Sequence, residues 1–86
     1  MIRTEVESSN IMTIGYDPDT KVLEVEFGKN DYEDETNRIY IYQNVPPEVH
    51  QELMDDNSHG GYLCANIAKN YPYEFRGTRG DVEPEN

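Results

Sequence analysis

Eighty-six residues make one small domain, because a single core of this size withdraws only about 60–65% of the unfolded chain's surface and leaves nothing for a second globular unit. Leu, Ile, Val and Phe together number only 17, so the seven tyrosines must supply part of the core. Eighteen acidic against seven basic side chains leave −11, which opposes unaided binding to phosphate backbones or anionic lipid and favours basic partners. The lone cysteine, Cys64, excludes an internal disulfide framework and a multi-cysteine zinc site, so a reducing, cytoplasmic setting is expected. The N-terminus has no apolar leader core, and no window approaches the roughly 20 apolar residues of a membrane span.

In chain order, residues 11–16 and 22–27 are β-branched and aromatic runs flanking the Asp/Pro turn at 17–21, which predicts a hairpin. Met12, Ile14 and Tyr16 form the apolar set of the first strand. In the second, Leu23, Val25 and Phe27 alternate with Glu24 and Glu26, the pattern of a sheet with one buried and one wet side. A polar connector runs from Gly28 to Asn37. Residues 38–42 resume strand composition with both faces apolar, Ile39 and Ile41 on one and Tyr40 and Tyr42 on the other, so one set needs separate cover or a ligand.

Pro46 and Pro47 stop that strand and suit a helix's first turn, predicting a helix over Glu48–Asp56. Ser58 is the expected N-cap of a second helix, in which Leu63, Ile67 and Tyr71 recur every four residues. Tyr73 to Phe75 reads as a short extended return over the core. From Gly77 the apolar periodicity ends, predicting a flexible acidic tail over 77–86 behind a single domain over 1–76. The fold class expected is α+β: a three-stranded antiparallel meander followed by two helices packed on one face.

Charge is unevenly spread: −10 over residues 1–56, +2 over 57–80 and −3 over the last six. Three groups of residues could carry binding chemistry. Asp31, Glu33, Asp34 and Glu35 lack the ligand spacing of a calcium loop but present four carboxylates in five residues, which can mimic spaced phosphates and dock on a basic protein surface. Tyr40 and Tyr42 leave one strand on the same side, as base-stacking aromatics do in sheet-based RNA modules, or else they fill the core. Lys69 and Arg76, with Arg79, are the positive charges expected to reach a phosphate there. Gly60, Gly61 and Tyr62, with Asn66 a turn later, have the composition of an anion-binding helix start without the spacing of a P-loop or dinucleotide fingerprint. His59 does not share a helical face with Cys64, so no nucleophile and base are paired, and the chain is read as a non-enzyme without metal or cofactor.

The order of motifs, Ser8-Ser9-Asn10-Ile11, Ile14-Gly15-Tyr16-Asp17, Leu23 to Phe27, Tyr40-Ile41-Tyr42, Val45-Pro46, Gly61-Tyr62 through Asn66-Ile67 and Tyr71-Pro72-Tyr73, resembles the KTSC domain over about residues 6 to 75. That family is named from the C-terminus of some lysyl-tRNA synthetases and includes small stand-alone bacterial and phage proteins. The resemblance implies no enzymatic activity, and it implies RNA binding through the central Tyr-x-Tyr, here Tyr40 and Tyr42. Where the family usually carries asparagine, a polar or basic residue, and arginine around the second helix, this chain has Cys64, Ala65 and Ala68. The acidic connector likewise replaces a short hairpin. The leading expectation is therefore a binding module whose acidic face engages a basic protein, as a phage-type inhibitor mimicking nucleic acid would. The alternatives are an RNA-binding accessory domain using Tyr40, Tyr42, Asn66, Lys69 and Arg76, and capture of a small phosphorylated nucleotide near Gly60, Gly61, Tyr62 and Asn66.

Overall fold

A computed structural model of the chain describes residues 3–6, 11–28 and 36–78. Five strands, β1 (Arg3–Glu5), β2 (Ile11–Asp17), β3 (Val22–Phe27), β4 (Arg38–Tyr42) and β5 (Tyr73–Thr78), form one antiparallel sheet in the order β1-β2-β3-β4-β5. Helix α1 (Pro47–Asp55) and the short α2 (His59–Tyr62), which widens into a π-helical stretch over Leu63–Ile67, lie between β4 and β5. The α+β class and the central hairpin and third strand are as the sequence predicts, but the meander has five strands rather than three. β1 has three residues and no apolar alternation to announce it. The extended return expected at 73–75 is an edge strand running on to Thr78, two residues into the segment read as tail.

The β2–β3 turn follows its sequence chemistry. Asp17 Oδ1 accepts from the Asp19 amide at 2.9 Å, and the Asp17 carbonyl accepts from the Lys21 amide at 2.8 Å, holding Lys21 at φ 58°. The Lys21 carbonyl then accepts from Val45 N–H at 2.9 Å, tying this turn to the segment that enters α1.

Ile11, Ile14, Leu23, Val25, Tyr42, Val45, Leu53, Leu63 and Ile67 form the main core, in which the helices cover one face of the sheet. A register shift between Ile11 and Thr13 sets Ile11, not Met12, opposite Phe27. Of the expected Met12, Ile14, Tyr16 set, Ile14 and Tyr16 do face the core, and the bulge puts Ile11 there in place of Met12. Met12 is buried outside that main cluster.

The second face is not wet. Glu24 is 7% exposed and Glu26 fully buried, alongside Thr13, Asn37, Ile39 and Ile41. A buried carboxylate persists when it is paired: Glu26 accepts from Thr13 Oγ1 and from Asn37 Nδ2, both at 2.9 Å. Glu24 takes Arg3 in an ion pair and hydrogen bond, with Arg76 Nη1 3.9 Å away. Alternation reports which residues share a face, and it cannot distinguish a solvated glutamate from a buried, partnered one.

Pro46 and Pro47 start α1 one residue earlier than expected, and Leu53 is its fully buried anchor. Ser58 caps α2 as predicted, its hydroxyl accepting from Gly61 N–H at 3.2 Å. The i to i+5 bond from Ala68 N–H to the Leu63 carbonyl, 2.8 Å, closes the π turn while Leu63 and Ile67 both stay in the core.

Candidate ligand-binding groove

β4 sends Arg38, Tyr40 and Tyr42 to the helix side, and β5 sets Phe75 opposite Tyr40 and Tyr73 opposite Tyr42. The rings touch in sequence. Phe27 meets Tyr40 edge-on at 5.6 Å, Tyr40 meets Phe75 at 5.2 Å and Tyr73 at 5.8 Å, and Tyr73 meets Tyr42 at 5.7 Å, all distances favourable for aromatic pairs. An open groove of about 450 Å³ runs along them, lined by Phe27, Arg38, Tyr40, Tyr42, Ala68 and Tyr73.

Exposure is graded across this surface. Tyr42 is 5% exposed and belongs to the core, Tyr40 is half-buried, and Tyr73 and Phe75 are 59% and 53% exposed. Burial pushes the Tyr42 phenol up to about 12, with lesser contributions from Cys64, Tyr73 and Tyr40, so it stays a neutral hydrogen-bonding group at the groove floor. Arg38 is exposed at one end, and Lys69 is exposed in the turn just after Ala68. The groove thus joins aromatic faces to the positive charge of Arg38, and no carboxylate is among the described residues that line it.

Of the residues the sequence singles out, Tyr40 and Tyr42 come together here. Arg76 does not join them: it is the extra residue where the β4–β5 register shifts between Ile39 and Tyr40, and its guanidinium lies near Glu24 on the second face. Gly60, Gly61, Tyr62 and Asn66 do not line the groove. Gly61 N–H is engaged by Ser58, and a side chain at 61 would meet that hydroxyl at 2.8 Å. The Tyr62 phenol is raised chiefly by burial and then by the Glu52 carboxylate. Asn66 Nδ2 donates to the Tyr62 carbonyl at 3.4 Å, and the Asn66 carbonyl accepts from Asn70 at 2.7 Å. Asp31, Glu33, Asp34 and Glu35 lie outside the described residues.

Arg38 and Tyr73 line the groove and Phe75 packs on Tyr40 beside it, and the sequence alone singled out none of the three. The signal was present as a second aromatic-x-aromatic pair, Tyr73-Glu74-Phe75, but pairing it with Tyr40-Ile41-Tyr42 requires knowing that β5 is β4's neighbour. Elsewhere, His50 stacks on Tyr16 at 4.5 Å, His59 Nδ1 contacts the Leu53 carbonyl at 2.8 Å, and Cys64 is exposed. Among the described residues no three His, Cys, Asp or Glu side chains gather as metal ligands, and no helix is long and apolar enough to cross a membrane.

A five-stranded antiparallel meander with two helices on one face and a Tyr-x-Tyr strand beside its edge defines the class of small α+β domain to which the chain conforms. The KTSC domain model matches residues 7–71, and the chain belongs to that family. It is 40% identical over 63 residues to a protein of Stutzerimonas stutzeri (strain A1501), covering 73% of this chain and 79% of that one. It is 36% identical over 58 residues to a protein of Tsukamurella paurometabola, covering 67% and 76%. The crystal structure of a KTSC domain protein from Yersinia pestis superposes with a TM-score of 0.74 at 33% identity, covering 87% of this chain and 96% of that one.

Proposed function

We propose that this protein is a non-enzymatic binding module that holds unpaired RNA bases against the Tyr40, Tyr73 and Phe75 surface, with Arg38 and Lys69 receiving the adjoining phosphates. The observation that carries this reading is the exposure of Tyr73 and Phe75, 59% and 53%, beside an open groove. Aromatic groups that large are ordinarily buried, and a planar base offers them a face while the backbone reaches the cations. A charge of −11 does not forbid this, since exposed charges farther than about 8–10 Å are screened at physiological salt. Titrating fluorescently labelled single-stranded RNA by anisotropy tests it. The parent should bind saturably, and Tyr73→Ala should weaken binding about tenfold or more, the loss of one stacking platform.

A second reading, engagement of a basic protein, is favoured by α1. Glu48, Glu52 and Asp55 and the adjoining Asp56 are exposed, and the helix has no Lys or Arg. Pull-down with the parent and with a variant neutralised at Glu48, Glu52, Asp55 and Asp56 and at the connector carboxylates Asp31, Glu33, Asp34 and Glu35 separates the two. Undiminished partner capture by that variant would remove this reading.

A further inference from the structure

We infer that β5 is a self-recognition edge, through which two copies of this chain pair antiparallel about a two-fold axis at Phe75. Among the described residues the stretch from Tyr73 to Phe75 has one strand neighbour, β4, and no strand on its other side. The Gln43 N–H donates to the Pro72 carbonyl at 3.0 Å, and alternation along an antiparallel ladder then turns the main-chain groups of Tyr73 and Phe75 away from β4, toward the open edge. The opposite edge differs. β1 has three residues and exposes Thr4 and Glu5, a short, polar edge of the kind that resists pairing.

The occupant is specified by register. An antiparallel copy centred on Phe75 places Phe75 opposite itself and Glu74 opposite the partner's Arg76. The first match lets the outward amide and carbonyl of Phe75 be satisfied reciprocally. The second sets opposite charges in both symmetric positions, on the face where Arg76 already lies 3.9 Å from Glu24. Centring on Glu74 would instead oppose two glutamates. The same strand therefore discriminates between registers by charge, and the contact closes on itself as two-fold interfaces do. The bulge at Arg76 limits the ladder to the stretch around Phe75, so the dimer is small and concentration-dependent.

Sedimentation equilibrium of the full chain tests this independently of any RNA binding, because the charges exchanged lie on the face away from the groove. The parent should pass from monomer to dimer with concentration. Glu74→Arg alone, or Arg76→Glu alone, should weaken self-association about tenfold or more, since both symmetric pairs become like-charged. An equimolar mixture of the two single variants should associate again, because every pair across the axis is then opposite in charge. Arg76 is half exposed and its contact with Glu24 is long, so neither swap threatens the fold, which circular dichroism verifies. A parent that is monomeric up to about 1 mM, single variants that dimerise as tightly as the parent, or a mixture that stays monomeric would each overturn the inference.

Discussion

Glu26 illustrates how a polar residue becomes structural. Its carboxylate is fully buried and serves Thr13 and Asn37 at once, so Glu26→Ala removes a shared acceptor where water cannot replace it. The expected cost is about 3 kcal/mol, visible as a fall in melting temperature of about 15 °C in a domain of this size. A thermal melt checks it. The His50–Tyr16 stack carries a different signature. Burial lowers the His50 imidazole below its ordinary value of 6.5, so as pH falls below 6.5 the unfolded chain takes up a proton that the folded chain refuses. This contribution to stability is therefore fully present above 6.5 and declines as pH drops toward the lowered folded value. Comparing melts of the parent and His50→Phe at pH 5.5 and 7.5 should show the parent losing more on acidification.

At the scale of elements, β4 and β5 divide labour between fold and surface. Tyr42 anchors the core while its neighbours on the ladder grade outward to Tyr73 and Phe75. Because Phe75 is more than half exposed, Phe75→Ala should cost no more than about 1 kcal/mol of stability, yet it should weaken RNA binding about tenfold, a split that urea melts and anisotropy can read together. The same pair of strands explains what was legible from the residues alone. The hairpin, the helix starts and the Tyr-x-Tyr strand follow from turn, cap and alternation chemistry, which are local. The identity of β5 as β4's partner, the bulge at Arg76, and the burial of Glu24 and Glu26 depend on contacts between residues far apart in sequence. Tyr40 and Tyr42 could thus be singled out together, but their division into half-buried platform and core residue could not, and Arg38 escaped notice for want of its neighbours.

For the whole molecule the question is how a chain of −11 engages an anionic polymer. Among the described residues Arg38 lines the groove and Lys69 follows its Ala68, so with these two cations on phosphates log Kobs should fall with log salt at a slope of about −1.4. Stacking, which is nearly salt-independent, then supplies most of the affinity, and long-range repulsion flattens the dependence further at low salt. The acidic exterior of α1 would bias the molecule against unselective coating of nucleic acid while leaving a short aromatic site open. The central claim is that the Tyr40, Tyr73 and Phe75 surface is where a ligand sits, and amide chemical-shift mapping of the full chain with an unstructured single-stranded RNA tests it most directly. Saturable shifts are expected at Arg38, Tyr40, Ala68, Lys69, Tyr73 and Phe75; an unchanged spectrum, or shifts confined to α1, would place the ligand elsewhere and overturn it.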